Sequence, residues 1–118
     1  MAKIMIVDDD RTTVKLLQTL LELEGFEVFV AGRGADVIPL AQDTMPDIFL
    51  MDYHLSDVDG VEIVRALRAS DLFATTPIVV TSGLDVEDEV REAGATDFKL
   101  KPFEPEELSA LFKDLIAD

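Results

Sequence analysis

Cysteine is missing from all 118 residues, which excludes disulfide cross-links, thiol catalysis and thiolate metal sites. Basic residues are scarce: ten lysines and arginines stand against 25 aspartates and glutamates, a formal net charge of −15. Such a surface repels phosphate backbones and anionic lipid, so neither direct nucleic-acid binding nor membrane binding is expected. Long hydrophobic runs are lacking too. The apolar opening over residues 4–7 is too short for a secretory signal and ends in three aspartates. No segment approaches the length of a membrane span. Repeats, linkers and low-complexity stretches are also absent. What remains, 48% apolar and 30% charged residues, is the composition of one folded domain over residues 1–118, expected in the cytoplasm.

Short β-rich runs alternate with helical patterns along the chain, which predicts an α/β domain with a parallel sheet. Strands are expected over residues 3–8, 26–31, 47–52, 77–82 and 96–101. Residues 11–24 place Val14, Leu17, Leu20, Leu21 and Leu23 at helical spacing, with Gly25 as the stop. Residues 61–69 put Val61, Val64 and Leu67 on one stripe, and 86–93 follow Asp85, the expected N-cap, and end at Gly94. Pro105 suits the first turn of a last helix whose buried side is Leu108, Leu111, Phe112 and Leu115. Over residues 35–44 Pro39 removes a backbone donor, so that helix either starts late, with the proline in its first turn, or is kinked.

The runs 4–7, 48–51 and 78–80 are unbroken apolar sequence, as expected of strands covered on both faces. Residues 96–101 instead alternate, Asp97 and Lys99 against Phe98 and Leu100, the pattern of an edge. Five right-handed βα units with the first, third and fourth strands central fit a known flavodoxin-like doubly wound sheet, order 2-1-3-4-5, with helices on both faces. In that order ligands bind where the carboxyl ends of strands one and three meet.

Asp8, Asp9 and Asp10 end the first strand and Asp52 ends the third. Two charges about 5 Å apart repel by roughly 3 kcal/mol at an effective dielectric near 20. A converging cluster therefore needs a cation or a bound proton. Oxygen-only ligands with open positions suit Mg²⁺, which keeps waters and a substrate phosphate in its shell. The plainer reading makes these aspartates solvated turn or N-cap residues, a role that suits Asp10, and the trio alone does not decide between the two. The fourth strand ends in Thr81 and Ser82, the fifth in Lys101, Pro102 and Phe103. A hydroxyl and an ammonium aimed at one carboxylate cluster are what a transferred phosphoryl group requires. Singly, Thr81 reads as a β-branched strand residue and Lys101 as a surface lysine; the combination is far rarer.

With these residues in place, the whole chain resembles the receiver domains of two-component response regulators, the chemotaxis receivers among them. Asp8 and Asp9 match the metal-binding pair of that family, and Asp52 matches its phosphoacceptor. His54 falls where the family supplies a backbone carbonyl to the metal, and Thr81 and Phe98 match its switch hydroxyl and switch aromatic. Lys101, Pro102 and Phe103 match its lysine with the usual Pro-Phe, a Lys-Pro bond that is commonly cis. Two departures stand out. Leu55 and Ser56 replace the usual Met-Pro ahead of Asp57-Val58-Asp59-Gly60, which predicts a looser loop. Leu111 stands where the winged-helix transcription-factor branch usually has a charged dimer residue.

The resemblance implies that a histidine kinase or histidine phosphotransfer protein donates phosphoryl to Asp52, with Mg²⁺ on Asp8, Asp9, Asp52 and the His54 carbonyl. Thr81 and Lys101 would stabilise the phosphoryl group, and the new charge would draw Thr81 inward and let Phe98 turn from exposed to buried. The bland reading of Phe98 is packing against the last helix. His54 and Gly83 lie where the family tunes loss of the phosphoryl group, although His54 also reads as a solvated loop histidine. The domain would be no enzyme beyond catalysing its own phosphorylation and dephosphorylation. Acidic residues crowd the last two helices, Glu87, Asp88, Glu89, Glu92, Glu104, Glu106 and Glu107; such runs are usually just solvated faces, but if this is the output face it favours a basic output partner over DNA. That partner is either a separate protein or an attached output domain of a longer regulator. Two rivals remain. Asp8 to Thr12 fits the Asp-x-Asp-x-Thr opening of haloacid-dehalogenase-like phosphatases, with Asp8 as nucleophile and Asp10 as general acid, and a pseudo-receiver would keep the fold without the chemistry. A flavodoxin-like binder fits least, because the first strand leads into aspartates rather than a phosphate loop.

Overall fold

The computed structural model describes residues 2–117; Met1 and Asp118, the ends of the expected 1–118 domain, lie outside the described residues. Five strands, β1 (Lys3–Val7), β2 (Glu27–Ala31), β3 (Ile48–Asp52), β4 (Ile78–Ser82) and β5 (Asp97–Leu100), alternate with five helices. These are α1 (Arg11–Leu23), α2 (Val37–Thr44), α3 (Gly60–Ala69), α4 (Glu87–Ala93) and α5 (Pro105–Ile116). All pairings are parallel and the order is β2-β1-β3-β4-β5.

Alternation along the strands divides the core into two layers. Met5, Val7, Phe49, Met51, Ile78 and Val80 belong to a layer closed by α2, α3 and α4 through Val37, Ala41, Val64, Leu67 and Val90. Ile4, Ile6, Ile48, Leu50 and Val79 belong to the other, closed by α1 and α5 through Val14, Leu17, Leu21, Leu108 and Phe112. Every residue of β3 and β4 is buried, which explains why those runs carry no polar alternation. Each fully buried side chain of the size of Phe49 or Phe112 contributes about 1.5–3 kcal/mol.

Pro39 is the third residue of α2, which begins late, after the 3-10 turn Gly34–Asp36. The amide it lacks is one of those with no partner inside the helix, so no kink is needed. Several side chains depart from the expected pattern. Leu23 is 79% exposed and Leu20 half-buried, because the leucine-rich last turns of α1 hold more apolar residues than one stripe can bury. Leu111 and Leu115 are only half-buried; Leu108 and Phe112 carry the inward side of α5. Helix α4 starts at Glu87 with Val86 at the cap position, while Asp85 accepts the Glu87 N–H from outside at 3.3 Å. Strand β5 is an edge as expected, but its alternation does not carry through, since Leu100 is exposed and Asp97, Phe98 and Lys99 are all half-buried.

At the far end of the sheet from the acidic residues, half-buried Arg68 ties three segments together. Its guanidinium donates to the carbonyls of Gly94 (2.8 Å), Phe73 (2.8 Å) and Thr76 (2.7 Å) and to the Thr96 hydroxyl (3.3 Å). Burial pulls its pKa below the ordinary arginine value.

Candidate functional site

The parallel order sets the carboxyl ends of β1, β3 and β4 side by side, and the polar residues follow from that. Asp8 leaves β1 with its N–H still on the Ala31 carbonyl (3.2 Å), Asp52 closes β3, and Thr81 is the register partner of Asp52 on β4. Asp8, Asp52 and Thr81 are 6%, 8% and 3% exposed. Lys101, just beyond β5, reaches back so that its ammonium lies 3.1 Å from Asp52 Oδ1. The Lys101–Pro102 bond is cis. Asp8, Asp52, Thr81 and Lys101 line one small cavity, with Thr13 and Phe103 on its α1 and α5 sides.

Carboxylate oxygens of Asp8, Asp9 and Asp52 lie within 4.8 Å of one another. Burial pushes the Asp8 carboxyl above its ordinary value; the Asp10 amide, donating to Asp8 at 2.9 Å, pulls the other way. The charge of Asp52 raises it, Lys101 lowers it, and Asp9 adds a further smaller rise. Among the described residues one lysine, Lys101, reaches a cluster of three carboxylates here, so the cluster is short of positive charge. Two buried carboxylates and one exposed one, all oxygen donors, fit a hard divalent cation better than zinc or copper.

Asp10 is not part of this cluster. Its carboxylate caps α1, accepting the Thr12 N–H (3.2 Å) and the Thr13 hydroxyl (2.8 Å), and the Thr13 bond holds its pKa below the ordinary value. The phosphatase reading required Asp10 as a general acid beside Asp8 and left Asp52 idle. The geometry is the reverse.

The loop after β3 brings in residues that the pattern of carboxylates did not reveal. His54 is exposed, its backbone bridges to Asp59, and its ring packs edge-on against Tyr53 with centroids 4.7 Å apart. Tyr53 donates its phenol to Glu89 of α4 at 2.7 Å, which pushes its pKa up. Tyr53 is the sole tyrosine and directly follows Asp52, the one signal that could have marked it. Gly60 donates to the Tyr53 carbonyl at 2.6 Å, and a Cβ there would run into the carbonyl oxygen of Asp52. Glycine is what lets α3 begin this close to the end of β3. A Cβ on Gly83 would meet nothing within 4 Å, leaving open space past Thr81 and Ser82. Phe98 is half-buried against the layer of α2, α3 and α4, not against α5.

The response regulator receiver domain model matches residues 4–113. The transcriptional regulatory protein PrrA of Mycobacterium leprae is 40% identical over 117 residues, 97% of this chain and 49% of PrrA, so the chain spans about half the length of that relative. Among solved structures, the chemotaxis response regulator CheY4 of Vibrio cholerae superposes with a TM-score of 0.91 at 29% identity, covering 98% of both chains. The receiver domain of a Pseudomonas aeruginosa sensor histidine kinase superposes with a TM-score of 0.90 at 26% identity over 99% of this chain and 98% of its own. That structure has a magnesium ion coordinated in its active-site cleft.

Proposed function

This chain belongs to the receiver-domain family of response regulators, and from that premise we propose that Asp52 accepts a phosphoryl group from the phosphohistidine of a histidine kinase or histidine phosphotransfer protein. The observation that carries the reading is the buried Asp52 carboxylate held 3.1 Å from the Lys101 ammonium, next to Asp8 and Asp9. As the acyl-phosphate bond forms, the donor P–N bond breaks and its electron pair leaves with the imidazole nitrogen. Asp52 is a weak nucleophile, so positioning and charge neutralisation do most of the work. Lys101 balances charge on the arriving phosphoryl oxygens, and the Thr81 hydroxyl donates to one of them. Asp8, Asp9, Asp52 and the His54 carbonyl would hold Mg²⁺, which when bound neutralises charge and aligns the phosphoryl oxygens.

The new charge draws Thr81 inward, and Phe98, already half-buried, settles further into the layer it touches. The surface of α4, β5 and α5 changes with it and is read by an output protein or attached output domain with a basic face, in the cytoplasm. Thr81→Ala keeps phosphorylation and loses this link; equal partner binding by both phosphorylated forms refutes it. His54 and Gly83 set the acyl-phosphate lifetime, and a half-life unchanged on substituting His54 refutes that role for it.

Intact mass after incubation with Mg²⁺ and acetyl phosphate tests the whole reading. The natural chain gains one phosphoryl group and Asp52→Asn gains none. Labelling that persists in Asp52→Asn sinks it.

A further inference from the structure

We propose that Asp57 is a positioning residue: by clamping the loop after β3 to the start of α2, it holds the His54 carbonyl in place and thereby sets the affinity of the site for Mg²⁺. The proposal rests on the reading above of Asp8, Asp9, Asp52 and the His54 carbonyl as a magnesium site. Nothing in the chemistry of the acceptor requires an aspartate at this position, which is five residues further along the chain.

The loop of residues 53–59 is closed at its base by the His54–Asp59 bridge and by the Gly60 amide on the Tyr53 carbonyl. Its crown is held from outside. One oxygen of Asp57 accepts the Gly34 N–H at 2.9 Å and the other accepts the Ala35 N–H at 3.1 Å, the two amides that open the 3-10 turn ahead of α2. Bonds of this kind to an ionised carboxylate are about twice as strong as neutral ones. The same amides, Gly34 first, hold the Asp57 carboxyl below its ordinary value. The fit beneath them is close, since a Cβ on Gly34 would run into the side chain of Val58 and crowd Ile63.

The clamped partner is itself part of the site's wall. Gly32 and Arg33, immediately before Gly34, line a cleft with Asp8 and Asp9. Through Asp57 the loop that carries His54 is thus referenced to the same segment that borders the acidic pair. Ser56 leaves the loop backbone freer than proline would, so the order of this loop has to come from contacts. Without the clamp, ordering the loop is deferred to the moment of binding and subtracts from affinity. Once the cation is bound the loop is in the same place, so the rate at saturation is preserved.

Tyr53 is the only tyrosine in a chain without tryptophan and directly follows Asp52, so its fluorescence should report Mg²⁺ binding with no turnover. Mg²⁺ titration of the natural chain, Asp57→Ala and Asp57→Asn should raise the half-saturating concentration about tenfold for alanine. Asparagine, with one acceptor oxygen in place of two, falls between; it also carries the test if the alanine variant does not fold. Labelling of Asp52 by acetyl phosphate should need correspondingly more Mg²⁺ and reach the natural rate at saturation. A general structural defect would instead depress the rate at every Mg²⁺ concentration. An unchanged half-saturating concentration, or a rate deficit that saturation does not repair, overturns the proposal and leaves the magnesium reading standing. A natural chain with no response to Mg²⁺ overturns both.

Discussion

Replacing Asp8 with Asn should make the metal-free protein more stable at neutral pH, although it removes a buried, hydrogen-bonded side chain. Asp8 is 6% exposed and lies within 4.8 Å of carboxylate oxygens on both Asp9 and Asp52. At that separation each repulsion is worth about 3 kcal/mol at an effective dielectric of about 20. The ammonium of Lys101 cancels part of it, and asparagine weakens the bond that the Asp10 amide makes to Asp8 by about 1 kcal/mol. A net gain on the order of 2 kcal/mol remains, which for a domain of this size is a rise of about 6–10 °C in Tm. The pH dependence has a definite sign. Because burial raises the folded-state pKa of Asp8 above 3.8, the natural fold gains stability relative to the variant as pH falls through that raised value towards 3.8. The advantage of Asp8→Asn is therefore full at neutral pH and shrinks on acidification. Thermal and urea unfolding followed by circular dichroism between about pH 4 and about pH 8, without metal, measures it. Added Mg²⁺ should stabilise the natural chain more than the variant. A destabilised variant at pH 7, or a gap that does not move with pH, would refute the reasoning.

Gly60→Ala should cost more than about 2 kcal/mol and impair labelling of Asp52, since the new Cβ meets the Asp52 carbonyl; urea unfolding and intact mass test the two effects separately. Arg68→Met leaves the carbonyls of Gly94 and Thr76 without the guanidinium donor and that of Phe73 with only the Thr76 N–H at 3.3 Å, and should destabilise by about 2–4 kcal/mol in urea unfolding. Lysine at the same position recovers little of that, because one ammonium cannot reach three carbonyls as the guanidinium fork does. The stability that the Asp57 clamp supplies should be full above the ordinary carboxylate value of 3.8 and disappear as pH falls through the lowered folded value. The natural chain and Asp57→Ala should accordingly differ at pH 7 and converge in acid, as read by urea midpoints.

The strands were legible because burial on both faces forces continuous apolar sequence: the expected runs around 4–7, 48–51 and 78–80 fall within β1, β3 and β4. Asp8, Asp9, Asp52, Thr81 and Lys101 were legible as candidates because strand ends are short, and a charged or hydroxyl residue there stands out against apolar neighbours. Whether they converged depended on sheet order, which no single strand encodes. The exposure of Leu23 and Leu100 was not legible, since periodicity reports which residues share a face and not whether anything covers it. Asp57 and Tyr53 were hidden for a different reason. An aspartate in a loop and a tyrosine after a strand are ordinary residues, and their partners, Gly34 and Glu89, are 23 and 36 positions away. Ser56 predicted a looser loop, a local inference made without sight of the contact that Asp57 makes across the fold.

Arg68 has one more effect, on how α4 can travel. Its grip on the Gly94 carbonyl pegs the foot of that helix to the end of α3, while the head, beginning at Glu87, sits by the rim and is tethered to it by Tyr53 and Glu89. A helix fastened this way should pivot and not slide. Displacement imposed at the rim should describe an arc about Gly94, widest at Glu87 and vanishing towards Ala93, so a paired probe near residue 87 is expected to register motion that the same probe near residue 93 misses.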